Sequence, residues 1–73
     1  MSVDQLKNLF TYHEPSVEDI SKYDEIRGAA LTFAYVIERL CPESPDRTVA
    51  IRKLREVVFT SNSAIATGGG LYR

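Results

Sequence analysis

Tyr12, Lys22, Tyr23 and Arg27 are the residues whose types and spacing could do chemistry in this 73-residue sequence. Tyr12 offers a flat aromatic face in a segment that helix packing does not explain. Arg27 follows Tyr23 by one helical turn, and Lys22 lies five residues before it. An aromatic face with a guanidinium suits a nucleobase joined to a phosphate. Stacking on an aromatic contributes about 1–3 kcal/mol per base. Arginine grips a phosphate through a two-pronged fork. The pattern alone equally describes Tyr12 as an apolar lid and Arg27 as a helix-surface cation, and that plainer reading is the more common one.

Enzyme chemistry finds little support. His13 is the single histidine and has no neighbouring cysteine or serine nucleophile, so it reads as a hydrogen-bonded turn residue. Cys41, the single cysteine, stands at a helix end before Pro42 and reads as a small buried hydrophobe. Gly68-Gly69-Gly70 lacks the following Lys-Ser/Thr of a phosphate loop and reads as a helix stop. Glu38, Glu43 and Asp46 do not form a metal-spaced acidic set, and no Cys/His cluster suggests zinc. Arg52, Lys53 and Arg55 could meet phosphates, but with Glu56 beside them they read as a solvated helix face. No cofactor is expected.

The elements that must position these residues are helices. In Ser2–Phe10, Ser2 is a cap and Val3, Leu6, Leu9 and Phe10 share a side. This short helix, spanning 1–10, cannot stand alone. Pro15 pushes Glu14 out of helical geometry, which makes Thr11–Pro15 a connector. Ser16 with Asp19 three residues later opens a long helix over 16–41. Its apolar residues fall on two neighbouring stripes, Ile20-Tyr23-Ala30-Ala34-Ile37-Cys41 and Ile26-Phe33-Val36-Leu40, widened by Leu31 and Tyr35. One partner helix covers about one stripe, so this helix needs more than one neighbour. Gly28 in its interior costs about 1 kcal/mol against alanine. A kink, or something that comes close to the backbone, would justify it.

Pro42 ends the long helix, Ser44 caps the next, and Pro45 suits its first position. The third helix is expected over 45–66. Ala50, Ile51, Leu54, Val57, Val58, Ser61, Ala64 and Ile65 form its apolar seam, and Arg47, Arg52, Lys53, Arg55 and Glu56 take the opposite side. Residues 67–73 read as a flexible tail. The fold class is therefore all-α: one domain, a short N-terminal helix on a long antiparallel helical hairpin.

Globular scaling lets a chain of this size bury only about 60% of its unfolded surface. With one cysteine and no metal set, oligomerisation is the remaining means of stabilisation. Nine basic against ten acidic residues give net −1, which excludes a bulk polycation for nucleic acid or anionic membrane. A DNA-binding regulator using Arg47, Arg52 and Arg55 is disfavoured by that charge and by the want of a helix-turn-helix. The longest purely apolar run is five residues, Phe33–Ile37, so no transmembrane span is expected. No signal peptide is read at the start of the chain, and the lone thiol suits a reducing cytosol.

Phe10-Thr11-Tyr12-His13, Pro15, Ile20, Tyr23, Ile26-Arg27, Ala30, Cys41-Pro42, Ser44, Arg47, Ala50-Ile51, Leu54, Asn62 and Ile65-Ala66 occur together in this order. From about Leu9 to Ala66 the pattern resembles the phage anti-CBASS family Acb2, which shares its helical hairpin with the larger Tad1 anti-Thoeris proteins. The FTYH-x-P segment joined to the IR and CP-x-S-x-x-R pieces carries the specificity. The resemblance implies a sponge without catalysis, which sequesters cyclic oligonucleotide second messengers in the cytoplasm of the infected bacterial host. It implies a homohexamer, a trimer of dimers. Cyclic dinucleotides would bind between subunits and cyclic trinucleotides at a separate site on the threefold axis. It implies that Tyr12 stacks on a base and Arg27 holds a phosphate. Gly28 and Ala29 would let the ligand approach the backbone, and His13, Lys22 and Asn62 would add polar contacts. The competing reading is a structural helical module that only oligomerises, with Tyr12 and Arg27 in its interface.

Overall fold

Three serines start three helices in the computed structural model, which describes residues 1–69. Ser2 caps α1 (Val3–Phe10) with a complete capping box: its hydroxyl accepts from the Gln5 N–H at 3.1 Å, and Gln5 Oε1 accepts from the Ser2 N–H at 2.8 Å. Ser16 repeats the device with Asp19 at the head of α2 (Val17–Leu40). Ser44 Oγ accepts from the Arg47 N–H at 3.2 Å and starts α3 (Pro45–Thr67), where Pro45 costs nothing because a first-turn N–H has no helical partner. Gly68 ends α3 in the left-handed region at φ 63°, where glycine carries no Cβ penalty, and its N–H and that of Gly69 return to Ile65 O and Ala64 O.

A four-residue turn makes α2 and α3 antiparallel neighbours, and α1 packs against α3 but not α2. The described residues are entirely helix and connector, with no strand among them. The extents are 45 × 28 × 17 Å and the radius of gyration is 15.3 Å. A compact domain of this length would have a radius of about 11 Å. The chain is thus a single layer of helices, too thin to enclose a core. Its accessible surface of 5913 Å² exceeds by roughly 1,400 Å² what globular scaling gives for this mass. No apolar residue among those described is buried, and Thr67 at 3% exposure is the buried one.

The apolar patterning is divided accordingly. Tyr23, Ile26, Ala30, Ala34 and Ile37 of α2 are half-buried, as are Ala50, Ile51, Leu54, Val58 and Ile65 of α3. Leu31, Phe33, Tyr35 and Leu40 remain exposed, as do Val57 and Ala64 of the expected seam. Val3, Leu6 and Phe10 of α1 are exposed too, and only Leu9 of that side is half-buried. α2 runs through Gly28 without a break.

Three expectations need correction. Cys41 is exposed rather than buried, because it lies one residue past the end of α2 in the turn, beyond the flank that α3 covers. Arg47 is half-buried rather than set on the side opposite the seam; its guanidinium turns back to donate to Cys41 O at 3.4 Å, closing the interhelix turn. Thr67 does not begin a tail. It is helical and buried, its hydroxyl donates to Ser63 O at 2.8 Å, and its carbonyl accepts from Asn8 Nδ2 at 3.1 Å. Residues 70–73 of the expected tail lie outside the described residues.

Candidate functional site

The connector between α1 and α2 presents Tyr12 outward. The residue is 83% exposed, so it does not act as a lid on this chain. The backbone on either side is tied back to α1. The last four carbonyls of a helix have no helical donor. Here the Thr11 hydroxyl donates to Lys7 O, and His13 Nε2–H donates to Asn8 O at 2.6 Å. Asn8 in turn anchors α1 to the C-terminal end of α3 through Thr67 O.

Arg27 lies ten residues into α2, about 15 Å of rise from its start. Its Nη2–H donates to Asp24 Oδ1 at 2.9 Å, an i,i+3 pair on the open surface with side chains 57% and 68% exposed. Such pairs contribute about 0–1 kcal/mol, so an anion can displace or share the guanidinium at little cost. Asp24 went unremarked in the sequence, although its i,i+3 spacing signals the pair. Lys22 is exposed on α2. Five residues set it about 140° around the helix from Arg27, on a different face. Among the described residues no hydrogen bond, ion pair or ring contact joins Tyr12 to Arg27.

The remaining candidates separate by environment. A Cβ built on Gly28 would meet nothing within 4 Å. The chain itself therefore gives no reason for glycine there, and Gly28→Ala is expected to raise stability by about 1 kcal/mol through helix propensity. Urea unfolding of the ligand-free protein measures this. A fall in stability instead would mark a neighbouring chain pressed against the Gly28 backbone. Ala29 lines an apolar groove with Ile26, Phe33 and Val57. Asn62 is half-buried on α3, and its Oδ1 is buried without a hydrogen-bond partner among the described residues.

That groove is one of two that share Ala30, Leu54 and Val58 at the α2–α3 seam. The second adds Leu31, Ala34, Ile51 and Arg55. At 100° per residue, Leu31 and Ala29 lie on opposite sides of Ala30. The grooves therefore open on opposite flanks of the hairpin. At the edge of that second groove, the Arg55 guanidinium sits 5.6 Å from the centre of the Phe59 ring, a cation–π pair not foreseen from the sequence.

A sequence model of the Acb2/Tad1 hairpin domain matches residues 2–66. The chain belongs to the Acb2/Tad1 hairpin domain family. The hairpin domain thus spans all three helices except the last residue of α3. No curated protein and no solved structure matches the chain. No helix among the described residues is long and apolar enough to cross a membrane.

Proposed function

We propose that this single-domain protein is a non-catalytic sponge. It sequesters cyclic dinucleotides, and a second class of site takes cyclic trinucleotides, so that the CBASS effector of an infected bacterial host is never activated in the cytoplasm. The observation that carries this reading is the exposed Tyr12 ring on a connector tied down at both flanks, in a member of the Acb2/Tad1 hairpin family. At 83% exposure Tyr12 is left open to a ligand rather than closed under its own chain. Tyr12 stacks on a base and Arg27 takes a phosphate. Gly28 and Ala29 let the ligand near the backbone, while Lys22 and Asn62 supply polar groups; the His13 Nε2–H is taken by Asn8 O instead. Neither cofactor nor nucleic-acid polymer nor membrane enters this reading.

No contact joins Tyr12 to Arg27 within one chain, and in this reading a second copy completes the ligand site. Two apolar grooves on opposite flanks support a homohexamer built as a trimer of dimers, since an assembly with two kinds of contact needs two separate patches. The excess surface of roughly 1,400 Å² compares with about 800 Å² per partner in a standard interface. The purely structural module would use the same grooves and differs in having no ligand.

Calorimetric titration with a panel of cyclic di- and trinucleotides, beside a linear dinucleotide, is the test. Tight binding of cyclic members is expected, and chromatography after denaturation should recover them intact. No binding across the panel favours the structural module, and linear or monophosphate products would show a catalytic site.

A further inference from the structure

We propose that His13 is a positioning residue: its Nε2–H bond to Asn8 O fixes the connector so that the Tyr12 ring stands ready for a base before ligand arrives. This rests on the sponge reading for its ligand, and deepens it by giving His13 a role other than ligand contact. Tyr12 has no cover of its own, at 83% exposure. An exposed side chain on a loose connector would sample many directions, and a ligand would have to order it on binding. Here the residues immediately before and after Tyr12 are both tied to the same helix end. Thr11 takes Lys7 O and His13 takes Asn8 O. α1 cannot hold its place alone, since it has eight residues and none of them is buried. Asn8 supplies the anchor, donating from Nδ2 to Thr67 O, the carbonyl of the buried residue at the end of α3. A continuous strap thus runs from α3 through Asn8 and His13 to Tyr12. Because Asn8 O can only accept, His13 Nε2 carries a proton in this arrangement. That ring nitrogen is committed to the strap, so it is not available to accept from a ligand.

The imidazole geometry gives a sharp test. The amide nitrogen of glutamine falls near the position of His Nε2, whereas that of asparagine falls near Nδ1. His13→Gln keeps the strap donor and His13→Asn loses it. With the assembled protein and the tightest cyclic dinucleotide of the panel, His13→Asn is expected to lose affinity about tenfold, the effect of freeing roughly one residue of backbone. His13→Gln should stay within about threefold of the parent protein. Amide hydrogen exchange of residues 11–14 in the ligand-free protein should accelerate in His13→Asn and not in His13→Gln, with assembly size unchanged in both. Asn8→Ala, a residue further along the strap, should reproduce the His13→Asn loss, and the double variant should be no worse than either single one. Full affinity in His13→Asn, or equal losses in the two His13 variants, overturns the inference. So does unchanged connector exchange in His13→Asn. Tyr12→Ala run beside them separates the two failures. If it loses affinity while His13→Asn does not, the positioning role alone falls. If Tyr12→Ala binds fully, the ligand site and the positioning role fall together.

Discussion

Tyr12→Ala and Arg27→Ala are each expected to weaken cyclic-dinucleotide binding by roughly tenfold or more without changing the size of the assembly. The first removes a stacking surface worth about 1–3 kcal/mol per base, and about 1.4 kcal/mol is one decade in affinity. With Tyr12 83% exposed, truncation deletes little packing within the chain. The second removes a charge-assisted phosphate contact of about 1.5–3 kcal/mol. Its competitor, the Asp24 carboxylate at 2.9 Å, is exposed and holds the guanidinium weakly. Where two equivalent residues from paired subunits meet one ligand, each substitution acts twice and the loss approaches a hundredfold. Arg27→Lys should fall between, keeping the charge but losing the planar fork. Calorimetric titration beside light scattering reads both quantities. Full affinity in both alanine variants defeats the site. Lost affinity together with a collapsed assembly would make Tyr12 and Arg27 interface residues of a structural module.

The sequence carried the local signals of this fold and not the long-range ones. Ser2, Ser16 and Ser44 were legible as caps because a cap is decided within four residues, by a hydroxyl and the N–H three positions on. Gly68 was legible as a stop because the left-handed region favours one residue type. The three helices and the all-α class follow from those signals and the apolar spacing. Burial is different in kind. Cys41 and Leu40 continue the same stripes as the half-buried Ile37 and Val36, and nothing local says that α3 stops covering α2 before them. The Asn8–Thr67 bond joins residues 59 positions apart and leaves no periodic trace. His13 was legible as a hydrogen-bonded turn residue, but the identity of its partner depends on how the connector folds back. Tyr12 shows the limit most clearly. Its residue type suits a lid and a stacking platform equally, and only its exposure in the folded chain removes the lid.

Leu31→Asp and Phe33→Asp should each break the assembly, and break it differently. Both side chains are 55% exposed, so a carboxylate at either position costs an isolated chain little. Leu31 lines one groove and Phe33 the other, on opposite flanks of the seam. If a second copy covers each groove, the new carboxylate is buried without a partner, a cost of several kcal/mol repeated at every equivalent contact. Two kinds of contact then fail separately: one variant should leave the species held by the other contact, and the two residual sizes should differ. The same logic extends to folding. A chain with no buried apolar residue among those described has little hydrophobic stabilisation of its own. If assembly supplies it, the melting temperature of the parent protein should rise with protein concentration. Combining Leu31→Asp with Phe33→Asp should give a chain that is monomeric and largely unfolded at micromolar concentration. Light scattering and far-UV circular dichroism across a dilution series read both effects. Unchanged size in both single variants would mean that the grooves face solvent. A helical, cooperatively melting monomer in the double variant would mean that the thin hairpin is stable alone.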